Sequence, residues 1–164
     1  MVDVGAGSGF FAFPAARAVL PDGHVYAVDV SDDLVAWVRE RADRESVPNL
    51  TALRSTSVRI PLEDAIADVA LLANVLHGVP TATLSETIRI LRPGGRLVDI
   101  DWKKRTTPEG PPVRHRLSER EATDALEARG LRLRDSFELD PYHYVLAFER
   151  PRPTRRTRRL VSAE

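Results

Sequence analysis

The sequence predicts an α/β fold in which a doubly wound, mostly parallel sheet ends in a C-terminal antiparallel hairpin. Short, nearly continuous runs of Val, Leu, Ala and Ile recur along the chain, as in parallel strands buried on both faces. Amphipathic segments of helical length separate these runs, and this βαβ alternation is typical of doubly wound sheets. The last two runs alternate polar and apolar residues and are joined through Asp140 and Pro141, which is too short a connection for parallel pairing.

Three strands and two helices are predicted in the first third of the chain. The strands are VDV, VYAVDV and LTAL, at residues 2–4, 25–30 and 50–53. A glycine-rich loop follows the first strand and leads into a helix that extends to about Leu20, with Pro14 expected to bend it. Ser31 is a favourable N-cap for the second helix, which places Leu34 and Val38 on one face.

A further βαβ unit is predicted in the middle of the chain, with strands at residues 68–74 and 96–102. The helix between them carries Leu84 and Leu91 at helical spacing, and the Pro-Gly-Gly run at 93–95 stops it. The doubly wound pattern therefore continues through five strands.

The rest of the chain does not continue this alternation of strands and helices. The polar, Pro-rich segment 103–117 is predicted to be a loop. Ser118 and Glu121 then form a capping box for a helix that Gly130 ends. The two hairpin strands follow at residues 131–139 and 142–150. Three residues that start the last strand are predicted to belong to the core: Tyr142, His143 and Tyr144.

Composition narrows the kinds of site and partner to expect. The 164 residues suit one domain, and their formal net charge of +0 gives no global field that favours nucleic acid or a membrane. Cysteine is absent and the four histidines are scattered, so we expect no disulfide and no metal site. No apolar run is long enough to span a bilayer, and no charged leader precedes one; we therefore expect a cytoplasmic protein.

The loop VDVGAGSG after the first strand predicts a ligand-binding site. Gly5, Gly7 and Gly9 alternate in it, and glycines let the backbone approach a ligand closely. A strand, a glycine loop and a helix N-terminus together bind adenosine-containing ligands in doubly wound sheets. Asp29 ends the second strand 20 positions after Gly9, where its carboxylate can accept hydrogen bonds from ribose hydroxyls.

The details of this loop argue against dinucleotides and nucleoside triphosphates. The NAD fingerprint GxGxxG requires a glycine where Phe10 stands, whereas this loop reads GxGxG. Asp29 would repel the 2′-phosphate of NADP. No Lys-Ser or Lys-Thr pair follows the loop, which excludes a phosphate-binding P-loop.

In the order of its motifs the sequence resembles the class I S-adenosylmethionine-dependent methyltransferases, whose fold is Rossmann-like. VDVGAGSG resembles their first motif and VYAVDVS their second. ADVALLANVLHGV and LRPGGRLVDIDW are similar to their fourth and fifth strands with the intervening helix. The likeness is greatest to small-molecule enzymes, namely ubiquinone and menaquinone C-methyltransferases and arsenite methyltransferases. It covers about residues 2–149.

This resemblance implies that the glycine loop binds S-adenosylmethionine. Gly5, Ala6 and Gly7 would pass under the methionine part of the cofactor, and Gly9 completes the same loop. Asp3 would orient the ammonium group, directly or through water. The alternative is that the glycines only form a tight turn.

The resemblance also implies an adenosine subsite. Asp29 would hold the ribose, and the adjacent Val30 is assigned to the same site. Where the family often has an acidic residue followed by a small one near the adenine, this sequence has Thr56 and Ser57. Thr56 lacks the carboxylate but can accept one hydrogen bond. The alternatives are that Asp29 caps the second helix and that the Ser-Thr-Ser segment is only a polar loop.

Residues after the fourth and fifth strands are the candidates for catalysis. Asn74 ends the fourth strand, where many family members place a residue that faces the methyl group. His77, three residues on, either takes a proton from the acceptor or lies in an exposed loop. Asp101 and Trp102 end the fifth strand on the ligand side; the tryptophan either walls an acceptor pocket or packs against the following loop.

The two ends of the chain bear on its partners. The predicted domain spans residues 1–149, and an Arg-rich tail follows at 150–164. The tail has six arginines between Arg150 and Arg159, which either contact RNA phosphates or form a solvated terminus.

Family members usually have helices before the first strand, whereas here that strand begins at the start methionine. Either the chain is a minimal form or its start has been assigned too late. We expect the apolar surface left open to favour a homodimer.

Two classes of function are consistent with the sequence. One is an enzyme that transfers a methyl group from S-adenosylmethionine to a small molecule, or alternatively to RNA. The other is a binding module that keeps the nucleoside site without catalysis, as the missing adenine carboxylate suggests. No residue identifies the acceptor atom.

Overall fold

The computed structural model describes residues 1–153, which form seven strands and four helices. The strands are β1 (Val2–Val4), β2 (Val25–Asp29), β3 (Leu50–Arg54), β4 (Ala67–Ala73), β5 (Leu91–Trp102), β6 (Arg132–Glu138) and β7 (His143–Glu149). The helices are α1 (Ala12–Ala18), α2 (Asp32–Arg44), α3 (Thr81–Ile90) and α4 (Glu119–Glu127), and a short 3-10 turn lies at Val113–His115 in the long loop.

The strands form one sheet in the order β3-β2-β1-β4-β5-β7-β6. Strands β1 to β5 pair in parallel, whereas β7 is antiparallel to both β5 and β6. The predicted Rossmann-like, mostly parallel sheet with a C-terminal antiparallel hairpin is therefore confirmed. The chain reverses its direction of travel across the sheet between β1 and β4, and ligands bind outside the carboxyl ends of the strands at such a point.

Two apolar clusters hold the helices against the sheet. One joins α3 and α4 to the central and C-terminal strands through Leu84, Ile90 and Leu126. The other joins α1 and α2 to β2 and β3 through Phe13 and Val35. Among residues 1–153, none of the helices is both long and apolar enough to cross a membrane.

The helix starts follow the sequence signals. The Ser31 hydroxyl accepts a hydrogen bond from the Leu34 N–H at 3.4 Å. The Glu121 carboxylate accepts one from the Ser118 N–H at 2.7 Å, and the Ser118 hydroxyl accepts one from the Glu121 N–H at 3.3 Å, so the predicted capping box is confirmed. Pro14 lies in the first turn of α1, where its missing N–H would have no helical partner.

The third helix ends earlier than predicted. It stops at Ile90, and Leu91 already begins β5. Arg150 explains the change, because its guanidinium donates a 2.9 Å hydrogen bond to the last-turn carbonyl of Ile88. The backbone of Arg150 also forms hydrogen bonds of 2.7 and 2.9 Å with the segment 93–95, which therefore joins the sheet. A contact with a distant residue thus decides where the helix stops.

Of the three residues predicted to start the last strand inside the core, only Tyr144 is fully buried, at 1% exposed. Tyr142 is 41% exposed, so the prediction for it is wrong. It precedes β7 in the turn, outside the alternation that buries every second strand residue. His143 is half-buried and lies at the carboxyl edge of the sheet beside Trp102.

Candidate active site

The glycine loop after β1 is folded back onto β2. The N–H groups of Gly5 and of the next residue donate to the Val28 carbonyl oxygen at 2.8 and 3.0 Å. Gly5, Gly7 and Gly9 all have positive φ, at +75°, +55° and +83°. A Cβ at Gly5 would lie 2.8 Å from a Val75 methyl carbon, whereas one at Gly7 would meet nothing within 4 Å. The backbone at Gly7 is therefore open to a ligand.

Asp29 ties this loop to α2. One of its carboxylate oxygens accepts a hydrogen bond from the Gly7 N–H at 2.9 Å, and the other accepts one from the Ser31 N–H at 2.9 Å. Asp29 thus caps the start of α2, which is one of the two roles expected for it from the sequence. Each carboxylate oxygen can accept more than one hydrogen bond, so Asp29 can still receive ligand hydroxyls.

A cavity of about 480 Å³, which we call the Asp29 cavity, opens beside this carboxylate. Its wall includes five residues that the sequence assigned to the site: Gly5, Asp29, Val30, Ser57 and Asn74. His77 also lines it. The volume suits a nucleoside-sized ligand, since small-molecule pockets range from about 300 to 1,000 Å³.

A second cavity of about 330 Å³, the Asp3 cavity, is lined by the glycine loop itself. Asp3 lines it with Gly7, Phe10 and Asn74, yet its side chain is only 2% exposed. One of its carboxyl oxygens has no hydrogen-bond partner among the described residues. Burial, and then the charge of Asp29, raise the pKa of Asp3 to about 7. A positively charged group of a ligand would pair with the Asp3 carboxylate and offset the cost of its burial.

A third cavity of about 350 Å³, the His143 cavity, adjoins the second. Apolar residues make up most of its wall: Phe10, Phe11, Ile100 and Leu139. Its polar residues are Asn74, Asp140 and His143. A mostly apolar cavity with a few polar groups is the usual form of a small-molecule site.

Asn74 is common to all three cavities. It follows β4 in a left-handed conformation with φ +58°, and its N–H donates to the Ile100 carbonyl at 2.7 Å. The sequence analysis placed Asn74 opposite the reacting group, and a residue at the junction of three cavities suits that position.

His77 is paired with Asp101, which is fully buried at the end of β5. The Nδ1 atom of His77 lies 3.1 and 3.0 Å from the two carboxylate oxygens. A carboxylate only accepts hydrogen bonds, so Nδ1 carries the hydrogen and Nε2 is left as an acceptor. Both residues were candidates from the sequence, but their hydrogen bond to each other was not predicted. The available signal was that β4 and β5 are neighbours, so residues after their carboxyl ends meet.

In the segment assigned to the adenine, some residues line the Asp29 cavity and others do not. The Thr56 side chain points into the loop, where its hydroxyl accepts a 3.3 Å hydrogen bond from the Val58 N–H, and it does not line the Asp29 cavity. Ser57 does line it, together with Ser55, which the sequence analysis did not select. The Ser57 carbonyl accepts a 2.8 Å hydrogen bond from the Thr83 hydroxyl.

Trp102 packs against the long loop. A Cβ at Gly110 would lie 2.8 Å from its indole, and the Arg116 guanidinium carbon lies 5.1 Å from its ring centre. Arg116 is only 3% exposed and donates to the carbonyl oxygens of Lys103 and Pro111, at 3.1 and 2.7 Å. Of the two interpretations of Trp102, loop packing fits these contacts.

The Arg-rich tail, expected either to contact RNA or to form a solvated terminus, is described only at its start. Arg150 and Arg152 lie within the described residues, and the other four arginines up to Arg159 lie outside them. The Arg150 guanidinium is hydrogen-bonded to carbonyl oxygens at the end of α3, including that of Arg89 at 3.2 Å. Arg150 therefore has a structural role in the folded domain.

Comparison with known proteins identifies the family. A family model described as "Methyltransferase domain" matches residues 2–99, which is more than half of the chain. The chain belongs to the methyltransferase domain family. A crystal structure of a SAM-dependent methyltransferase from Aquifex aeolicus is 32% identical, with a TM-score of 0.87 over 91% of this chain and 80% of that one.

Two curated relatives show which kinds of methyltransferase this chain resembles. An arsenite methyltransferase of Halobacterium salinarum is 32% identical over 62% of this chain and 26% of its own length. A ubiquinone/menaquinone biosynthesis C-methyltransferase of Methylobacterium nodulans is 31% identical over 66% of this chain and 44% of its own length. The chain thus spans about a quarter of the first relative and less than half of the second.

S-adenosylmethionine is the cofactor of this family, and the residues present fit it. Asp3 offers an unpartnered, buried carboxyl oxygen to an ammonium group. Gly7 leaves space where a side chain would stand. Asp29 offers acceptor oxygens at the edge of a cavity large enough for adenosine. These groups complement the charge and the hydroxyls of the cofactor.

Replacing Asp3 by Asn is expected to stabilise the ligand-free protein at neutral and alkaline pH. With a folded-state pKa of about 7 against an ordinary value of 3.8, Asp3 binds a proton more tightly in the folded state. Wild-type stability therefore falls relative to Asp3→Asn as pH rises from about 4 to 8, by up to about 4 kcal/mol. Urea unfolding across this range measures the difference.

The matched control is Asp22→Asn, which alters an exposed loop carboxyl. Its difference from wild type is expected to stay nearly constant with pH. Parallel stability curves for Asp3→Asn and wild type would contradict the raised pKa of Asp3.

Proposed function

We propose that the domain transfers a methyl group from S-adenosylmethionine to a small molecule bound in the His143 cavity. The observation that carries the proposal is the position of Asn74, where the two loop-side cavities meet the apolar one. When bound, the cofactor supplies a methyl group on a sulfonium that is already a good leaving group. The protein then contributes mainly position and the exclusion of water.

The chain's own residues have distinct tasks in this proposal. Asp3 binds the ammonium group, and the backbone of Gly5, Ala6 and Gly7 supports the methionine part. Asp29 accepts hydrogen bonds from the ribose hydroxyls. Asp29 lines the Asp29 cavity and Asp3 lines the Asp3 cavity, which supports this division.

The adenine lies against Val30 and Ser57 in the same proposal. Both line the Asp29 cavity, and Val30 is 55% exposed, so it offers apolar surface to a flat ring. Thr56 contributes at most from the rim, because it does not line the Asp29 cavity.

The lining of the His143 cavity favours an apolar organic acceptor. Phe10 is 75% exposed and Leu139 is 51% exposed, so both present apolar surface at its mouth. The relatives are named for arsenite and for ubiquinone and menaquinone biosynthesis. An apolar wall supports an acceptor of the second kind, a ring compound, over a small inorganic one.

His77 is the proposed base if the acceptor must lose a proton. Its Nδ1 is held by Asp101, so Nε2 can accept. His77 lies three positions after Asn74 and lines the Asp29 cavity, so it reaches an acceptor in the His143 cavity where the two cavities meet at Asn74. A buried carboxylate behind an imidazole stabilises the charge that forms on proton uptake.

The proposal extends to a second copy of the chain as partner. Phe137 pairs with the buried Val145 across β6 and β7 and is itself 49% exposed, on a sheet face where neither residue belongs to an apolar cluster. Covering this face favours a homodimer. Sedimentation at micromolar concentration is expected to give a dimer, and a strict monomer would contradict the partner.

Calorimetric titration tests the cofactor directly. The protein is expected to bind S-adenosylmethionine and S-adenosylhomocysteine and to leave NAD unbound. Asp29→Ala is expected to abolish both interactions, because the ribose loses its acceptor and Gly7 loses its anchor. Asp32→Ala is the matched control, since this carboxylate is 82% exposed.

The titration separates the enzyme from the alternatives. Binding followed by S-adenosylhomocysteine formation in cell extract supports the methyltransferase, whereas binding without turnover supports a silent module. Turnover that requires RNA in the extract would favour the RNA-modifying alternative. A folded protein that binds neither compound contradicts the proposal.

His77→Ala tests the proposed base. Turnover is expected to fall by about 100-fold or more where the acceptor loses a proton, since general bases contribute factors of about 10² to 10⁴. The pH dependence between about pH 5.5 and 8.5 should flatten. His24→Ala is the control, because His24 contacts Thr51 and lines none of the three cavities. Full turnover of His77→Ala across this range would remove the catalytic role.

A further inference from the structure

A second histidine–carboxylate pair lies in the turn before β7. One Asp140 oxygen accepts hydrogen bonds from the N–H groups of Tyr142 and His143, at 2.6 and 2.8 Å. The Nδ1 atom of His143 lies 3.1 and 2.9 Å from the two Asp140 oxygens. The Tyr142 N–H, with smaller contributions from His143, lowers the pKa of Asp140. Asp140 is therefore a carboxylate, and Nδ1 of His143 must donate to it.

This pair fixes the tautomer of His143. In the neutral imidazole, the hydrogen on Nδ1 leaves Nε2 with a lone pair that accepts hydrogen bonds. Among residues 1–153, none donates a hydrogen bond to Nε2. The same imidazole lines the His143 cavity. An acceptor nitrogen in a mostly apolar wall is a specific recognition element.

The imidazole is also held in place by its neighbours. Its ring centre lies 4.1 Å from that of Trp102, and Trp102 is packed in turn by Gly110 and Arg116. The Lys103 ammonium donates to the Asp140 carbonyl oxygen at 3.2 Å, which fastens the turn to the long loop. Groups held in this way lose little entropy when a ligand binds.

We propose that His143 is an acceptor-binding residue that selects acceptors with a hydroxyl group on an aromatic ring. The hydroxyl donates to Nε2, and the ring contacts Phe10, Phe11, Ile100 and Leu139. The proposal rests on the methyl transfer proposed above and names the class of its substrate. Asp140 is a positioning residue, because it acts on the acceptor through His143.

The charged side chain in the cavity wall, Asp140, favours a neutral phenol over an anion. An anionic acceptor would place its charge near the Asp140 carboxylate and opposite a nitrogen lone pair. A neutral hydroxyl instead supplies the donor that Nε2 lacks. The rings of Phe10 and Phe11, whose centres are 5.0 Å apart at 80°, offer both an edge and a face to an aromatic ring.

The test uses the full chain loaded with S-adenosylhomocysteine, so that no turnover occurs. The probes are 4-ethylphenol and 4-ethylanisole, which differ in the hydrogen that Nε2 would accept. NMR titration is expected to give at least about tenfold tighter binding of the phenol, since the unmatched nitrogen costs about 1.4 kcal/mol or more. His143→Phe, which keeps a ring in the wall, should abolish this preference, whereas His115→Phe should retain it.

A second readout does not depend on a variant. Long-range ¹H–¹⁵N spectra of the wild type should give the Nδ1–H tautomer for His143, with the Nε2 resonance moved by the phenol and unmoved by the anisole. Asp140→Asn should weaken both the tautomer preference and the selectivity, because the amide can also donate to Nδ1.

The outcomes separate this proposal from the one on which it rests. Failure of S-adenosylhomocysteine to bind contradicts the proposed function. Binding of S-adenosylhomocysteine with equal affinities for the two probes, or with a preference that survives in His143→Phe, overturns the role of His143 alone. An Nε2–H tautomer in the wild type overturns it as well.

Discussion

The site depends on how the chain turns after β1. The Val28 carbonyl accepts two N–H groups from the glycine loop, and Asp29 holds the Gly7 N–H and the Ser31 N–H with its two oxygens. These bonds join the ends of β1 and β2 to the start of α2. Because the two strands are adjacent in the sheet and parallel, their carboxyl ends meet at one edge. The three cavities are arranged around this turn.

Buried carboxyl groups at this edge oppose folding. Asp3 lies beside Asp29 with one oxygen unpartnered, and Asp99 has no partner for either oxygen among the described residues. Burial, and then the charge of Asp101, raise the pKa of Asp99 well above its usual range. Uncompensated polar groups cost free energy, and they persist where function requires them. Asp3 fits this account because a ligand cation would supply its missing partner.

Local patterns in the sequence predict most of the fold. The features that were not predicted depend on contacts between residues distant in the sequence. The strands, the Ser118 capping box and the antiparallel end each follow from neighbouring residues. The early end of α3 depends on Arg150, which is 60 residues from Ile90 in the numbering. The pairing of His77 with Asp101 requires β4 and β5 to be adjacent, and strand order is not encoded in local periodicity. For the same reason the role of His143 could not be separated from that of Tyr144.

The two histidine–carboxylate pairs differ in a way that suits different tasks. Asp101 is fully buried, so a charge that develops on His77 meets a carboxylate with little water to weaken the attraction. Both carboxylates accept two backbone N–H groups, but the Asp140 side chain is 40% exposed to water. Its field at His143 is therefore weaker, while its hydrogen bond still fixes the ring. The first arrangement favours proton uptake and the second favours orientation, which is why we assign chemistry to His77 and recognition to His143.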